Sequence, residues 1–421
     1  MNNNQRNVPN RRFKAFETGP NWERRKVTEL GKIFIGLVTT MTEHYKDEGV
    51  LLIRNSDIKD GRFEFGDNPI YLEETFAQAN SSRMHKLGDV ITVHTGDVGT
   101  SSVIREEQIN SLGFATIVTR PNTSLITSDY LCSYLNTPQH KKWAVGVSTG
   151  DGRTNYNLGD YYECIVPVPS KEEQHKISEF ISCLNNVITL HQHKLDKLKN
   201  LKKSYLAELF PAEGERLPKR RFPGFEGEWE KKKLGEIMDV GSVKRVHQSD
   251  WRVNGVRFLR ARDIVSEFKN EVSNDYLYID EELYKAYTTI SGKVEKGDVL
   301  VTGVGTIGVP LLIKSDKPLY FKDGNIIWFK NKNKIDGYFF YYSFIGNTIQ
   351  KFIGDVAGIG TVGTYTIDSG KNTPISLPKS KEEQILIGNF LKTLDNSITL
   401  QQQKLDKLKD LKKAYLNELF V

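Results

Sequence analysis

Gly303-Val304-Gly305-Thr306-Ile307-Gly308 has the spacing of a dinucleotide-binding loop and follows a strand-like run. That chemistry needs a helix directly after the loop, because the helix N-terminus holds the pyrophosphate. Val309-Pro310-Leu311-Leu312-Ile313 follows instead and reads as a second strand, so the stretch is expected to be a Gly-rich β-turn. His191-Gln192-His193 offers two imidazoles, but residues two apart on a helix point to different sides, and no metal site is expected there. Glu267-Phe268-Lys269 carries one fragment of a nuclease core in isolation. The chain contains no Walker A loop, no H-E-x-x-H, no G-x-S-x-G, and no Asn-Pro-Pro-aromatic or Asp-Pro-Pro-aromatic segment. Cys132, Cys164 and Cys183 are too few and too widely spaced for a disulfide framework or a zinc site. The chain is not expected to be a catalyst.

The elements around these residues carry a stronger signal. Residues 169–210, PSKEEQHKISEFISCLNNVITLHQHKLDKLKNLKKSYLAELF, align without a gap on residues 379–420, KSKEEQILIGNFLKTLDNSITLQQQKLDKLKDLKKAYLNELF. Roughly two-thirds of the positions are identical, so the chain is an internal repeat with a period of about half its length. Ser170…Glu173 and Ser380…Glu383 have the capping-box spacing that opens a helix. Pro167 and Pro169, and Pro374 and Pro378, keep each helix from starting earlier.

Apolar residues then step by threes and fours. The first stripe is Ile177, Ile181, Leu184, Ile188, Leu195, Leu198, Leu201, Tyr205 and Leu209; the second is Ile387, Leu391, Leu394, Ile398, Leu405, Leu408, Leu411, Tyr415 and Leu419. A stripe this narrow is a coiled-coil seam, with His191 and Gln401 as matched polar seam residues that set register. Each helix, about 60 Å long at 1.5 Å per residue, needs a partner, and the other helix supplies it. Lys194, Lys197, Lys199, Lys202 and Lys203 are expected on the outer faces.

The regions before the helices repeat more loosely. Arg12-Phe13, Phe16, Trp22 and Leu30-Gly31 match Arg221-Phe222, Phe225, Trp229 and Leu234-Gly235. GVLLIRNSDI (49–58) echoes GVRFLRARDI (255–264), and KLGDVITVHTGDVGTSSVI (86–104) echoes EKGDVLVTGVGTIGVPLLI (295–313). Short β-branched runs broken by Gly and Asp predict mixed α/β units. The expected organisation is a unit at 1–169, a helix at 170–210, a linker at 211–221, a unit at 222–379 and a helix at 380–421. The fold class is α+β, with two mixed units separated by an intramolecular two-helix coil.

Among 421 residues, 38% are hydrophobic and 27% charged, as in an ordinary soluble protein. The net charge of +6 and pI of about 8.8 fall short of what would argue for nucleic acid alone. MNNNQRNVPNRR lacks an apolar run, and no stretch approaches the roughly 18 apolar residues that span a bilayer, so a cytoplasmic location is expected.

Near-identical helices joined to drifted units resemble the specificity (S) subunits of type I restriction–modification systems. The resemblance rests on the two KEEQ-started helices, the Phe-x-x-Phe…Trp and Gly-Asp-Val…Gly-x-x-Gly elements and the half-chain repeat, and covers essentially the whole chain. It implies two target-recognition domains, helices that pair antiparallel, and a bipartite, asymmetric double-stranded DNA target whose gap the coil sets. It also implies two modification (M) subunits using S-adenosylmethionine, restriction (R) subunits using ATP and Mg2+, and no cofactor on this chain.

Within that resemblance, the candidate base or phosphate contacts are polar and basic residues of Gly-rich loops. They are Arg54, Arg62, His94, Thr149, Arg153 and Asn155 in the first unit, and Lys244, Arg245, Arg260, Arg262, Thr361 and Tyr365 in the second. Arg54 and Arg260 occupy matched positions and could equally be structural. The competing expectation is a non-catalytic coiled-coil adaptor joining two protein ligands.

Overall fold

The computed structural model describes residues 8–148, 154–271, 275–358 and 363–421. Two compact units form, and they do not follow the boundaries drawn from the sequence. One joins Met1–His193 to Gln402–Val421, and the other is Lys194–Gln401. The long helices, Lys171–Glu208 and Lys381–Glu418, are therefore each shared between units.

In the first unit the leading turns of the first long helix pack against the trailing end of the second. Ile177 and Ile181 share a core with Leu416, Leu419 and Phe420, and Phe180 meets Tyr415 edge-on at 4.8 Å. The second unit repeats this with the roles exchanged: Leu209 joins Ile387, Leu391 and Leu394, and Tyr205 meets Phe390 edge-on at 4.8 Å. A leading end against a trailing end makes the pairing antiparallel in both units.

Of the seam residues, Ile181, Leu195, Leu391, Leu394, Gln401 and Leu405 are buried, and Leu184, Ile188, His191, Leu198, Ile398 and Leu408 are partly buried. Leu201 and Leu411 depart from the expected stripe, being 42% and 44% exposed. The adjacent lysines turn inward instead. Lys202 Nζ lies 2.6 Å from the Asp395 carboxylate, and Lys412 Nζ lies 2.9 Å from that of Asp60. Lys202 is thus not an outer-face residue, because a carboxylate opposite it makes the inward position the favourable one.

Each globular part is built on the same two sheets. In the first unit an antiparallel sheet runs in the order Gly31–Ile35, Ile117–Pro121, Val90–Thr92, Ser101–Val103. The second unit repeats it as Asp239–Gly241, Ile326–Lys330, Val299–Thr302, Pro310–Leu312. Successive strand residues point to opposite faces. Val90 and Ile91 accordingly feed different cores, as do Val299 and Leu300, which explains the unbroken apolar runs. Val299–Thr302 and Pro310–Leu312 form a hairpin around Gly305 and Gly308, both at positive φ, so the G-x-G-x-x-G stretch is a turn with no helix after it.

The other sheet carries a parallel pair in each unit: Val50–Arg54 beside Leu112–Phe114, and Val256–Leu259 beside Leu319–Phe321. Beyond this pair the units part company. After Arg54 the first makes a small hairpin, Ile58–Lys59 with Arg62–Phe63, turned by Asp60-Gly61 with Gly61 at φ 75°. After Arg260 the second makes the helix Ala261–Phe268.

The KEEQ segments dock each long helix onto its globular part. Ser170 Oγ and Ser380 Oγ accept the amides of Glu173 and Glu383, each at 3.3 Å. That is half of a capping box. The two carboxylates do not reach back to close it, because Arg12 and Arg221 take them. Gln174 Oε1 accepts the amide of Thr127 (2.8 Å) and Gln384 Oε1 that of Asp336 (3.0 Å), at the starts of Ser128–Leu135 and Gly337–Ile345.

Candidate nucleic-acid interface

The parallel strand pairs end side by side, and most of the described candidate residues gather around these ends. Arg54 closes the first corner: its amide and Nε each donate to Asp57 Oδ2 at 2.9 Å, and its Nη2 donates to Oδ1 at 2.8 Å. Arg260 does the same to Asp263 at 2.8, 2.9 and 2.9 Å, and its Nη2 also reaches the Asp275 carbonyl. Both aspartates are buried. Their hydrogen bonds, more than their charge, raise the pKa of each arginine. A guanidinium consumed by a buried carboxylate three residues on is a structural pin in both units, so the structure assigns Arg54 and Arg260 to the corner itself.

In the first unit the corner is extended by a residue that sequence inspection missed. Asn55 Nδ2 donates to the carbonyls of Phe114 and Ala115, both at 3.2 Å, and its Oδ1 accepts the amide of His94 at 2.8 Å. An Asn directly after the strand, where the matched position is Ala261, was the available signal. His94 and Asn155 come together through Thr95: Thr95 Oγ1 lies 2.8 Å from His94 Nδ1 and donates to Asn155 Oδ1 at 2.8 Å. Burial lowers the His94 pKa, which keeps the ring neutral. Arg62 sits on the hairpin, exposed and paired with Glu64.

In the second unit the corresponding surface is more cationic. Arg245 Nε donates to Asp323 at 2.9 Å, Arg262 pairs with Asp275, and the Lys244 ammonium lies 4.5 Å from the centre of the Tyr287 ring. Where the first unit has His94 the second has Gly303, whose Cβ would stand 2.6 Å from the Tyr365 carbonyl. One unit thus offers an imidazole at this position and the other closes it with backbone.

Tyr365 departs from expectation. It is buried and its hydroxyl is engaged by Thr373. Its amide donates to the Gly303 carbonyl at 2.8 Å, as the amide of the equally buried Tyr156 donates to that of His94 at 2.8 Å. Tyr365 is the core counterpart of Tyr156 and is not placed to touch a ligand. Thr149, Arg153 and Thr361 lie outside the described residues. Among the described residues no group of His, Cys, Asp and Glu could hold a metal ion, and no helix is long and apolar enough to cross a membrane.

Comparison with known proteins places this geometry. Residues 20–200 and 226–410 match the family described as "Type I restriction modification DNA specificity domain". The chain is 27% identical over 266 residues to the type I restriction enzyme MjaVIII specificity subunit of Methanocaldococcus jannaschii, a match spanning 60% of each chain. It is 28% identical over 170 residues to the EcoBI specificity subunit of Escherichia coli, spanning 39% of this chain and 36% of that one. In fold it is similar to the crystal structure of a type I restriction–modification S subunit from M. genitalium, with a TM-score of 0.63 at 16% identity over 98% of this chain and 99% of the other. The two copies of one scaffold, the duplicated KEEQ docking and the match in both halves make this chain a member of the type I restriction–modification DNA specificity family.

Proposed function

We propose that this protein is the DNA sequence-specificity subunit of a type I restriction–modification complex. Its two recognition domains bind the two halves of an asymmetric double-stranded DNA target. Two M subunits supply S-adenosylmethionine-dependent methylation of adenine, and R subunits supply ATP- and Mg2+-dependent translocation and cleavage. The chain itself contributes recognition and scaffolding and no catalysis, and it acts in the cytoplasm with its partners.

The observation that carries this reading is the contrast at the parallel-strand ends. The Arg54–Asp57 and Arg260–Asp263 corners are the same, while what they present differs: a hairpin and an Asn55–His94–Thr95–Asn155 cluster in one unit, a helix and a cationic edge in the other. A shared scaffold with divergent edges suits two independent readers, since side chains at base edges specify sequence and cations on phosphates fix position.

The test is an exchange of residues 222–378 for the corresponding unit of a relative, followed by mapping of methylated adenines in cells that carry the M subunits. One half of the methylated sequence should change and the other should stay. A change in both halves, or methylation that does not depend on this chain, rejects the assignment.

A further inference from the structure

The Thr95 hydroxyl has a single proton and two hydrogen-bonded neighbours. The proton goes to Asn155 Oδ1, so Thr95 Oγ1 must accept from His94 Nδ1–H. His94 Nε2 is then a bare acceptor, and Asn155 Nδ2 a donor with no further partner among the described residues. If the relay is reversed, with the amide turned over and the ring in its other tautomer, the two exchange characters. One hydroxyl proton cannot serve both neighbours, so either polarity leaves one donor and one acceptor.

The relay is held rigidly. The His94 amide is fixed by Asn55 and its carbonyl by the Tyr156 amide, while Thr95 and Asn155 form a β-bridge. His94, Thr95 and Asn155 are nonetheless only partly buried. Phe114, whose carbonyl Asn55 holds, is 38% exposed beside them.

We propose that Thr95 is the positioning residue that makes the first recognition domain selective for adenine at one place in its half-target. The His94–Thr95–Asn155 relay presents one donor and one acceptor, the complement of adenine N7 and the N6 amino group in the major groove; guanine offers two acceptors there. The exposed Phe114 face suits the methyl group of a neighbouring thymine. This inference rests on the DNA-reading function proposed above.

The experiment uses the full chain with its M subunits and a pool of randomised duplexes, with bound DNA sequenced. The wild-type complex should enrich a bipartite sequence. Thr95→Val, which keeps the volume and removes the hydroxyl, should lower the preference for adenine at one position of one half by about fivefold or more. Thr95→Ser should restore it. Asn155→Asp, which replaces the amide donor by an acceptor, should strike the same position, and the other half should be unchanged in all three variants. The proposal is overturned if Thr95→Val leaves the enriched sequence intact, if Thr95→Ser behaves like Thr95→Val, if Thr95→Val and Asn155→Asp affect different positions, or if the affected position is a G·C pair. If the wild-type complex enriches no sequence, the DNA-reading function fails first and the proposal falls with it.

Discussion

Arg12 grips Glu173 through both Nε and Nη2, each at 2.7 Å, across 161 residues of chain, and both side chains are nearly buried. Arg221 repeats the grip on Glu383 at 2.7 and 2.8 Å. A bidentate, charge-assisted pair fixes direction as well as distance. It ties the segment before the first strand of each unit to the first turn of the long helix, and so sets the angle at which the helix leaves its globular part. Arg12→Ala should cost about 3–5 kcal/mol, because it strands a buried carboxylate. Denaturant unfolding of the full chain should show this loss, and a change below about 1 kcal/mol would mean that the pair is solvated in solution.

The two pins are not identical in their third member. Trp22 Nε1 donates to Glu173 Oε2 at 3.2 Å, whereas the buried Trp229 Nε1 has no acceptor. Trp22→Phe and Trp229→Phe remove similar apolar area, but only the first breaks a hydrogen bond to a charged group. Trp22→Phe should therefore be the more destabilising by about 1.5–3 kcal/mol. Equal losses in paired unfolding measurements would contradict the assignment.

Arg54 and Arg260 should behave as structural residues. Replacing either by Ala leaves Asp57 or Asp263 charged and buried, at a cost of about 3–5 kcal/mol. Lysine should rescue poorly, because it cannot reproduce the fork that spans both carboxylate oxygens. If either Ala variant instead kept its stability and lost preference at a single base pair, a direct reading role would replace the structural one.

Acid should weaken the first unit selectively. Burial pushes His85 and His140 down to about 4. His140 Nδ1 donates to the Leu135 carbonyl at 2.6 Å, and His85 Nδ1 lies 2.8 Å from Ser111 Oγ. In the unfolded chain both titrate near 6.5, so between about 6.5 and 4 the unfolded state binds more protons and stability falls as pH falls. At pH 5 the loss should be about 2 kcal/mol for each histidine. The second unit contains only the exposed His247. Hydrogen exchange at pH 7.5 and pH 5 should show faster opening in residues of the first unit alone; an equal response in both units would refute this.

The amino-acid sequence by itself determined the repeat, the two long helices, the strand character of the Gly-rich stretch and the family. Each of these is written in local periodicity or in the comparison of one half with the other, and local pattern survives without knowledge of contacts. The tertiary structure decided what the matched residues do. Glu173 and Glu383 read as capping-box partners until Arg12 and Arg221, far away in sequence, are seen to take their carboxylates. Tyr365 reads as a loop residue until its ring is found in the core opposite Thr373. Lys202 reads as a surface lysine until Asp395 stands across from it. Asn55 and Thr95 carried no spacing signal, because the partners that give them a role lie 39 to 60 residues away along the chain. A polar side chain's role is set by whichever group it is buried against, and that group is chosen by the fold, not by the neighbouring residues in sequence.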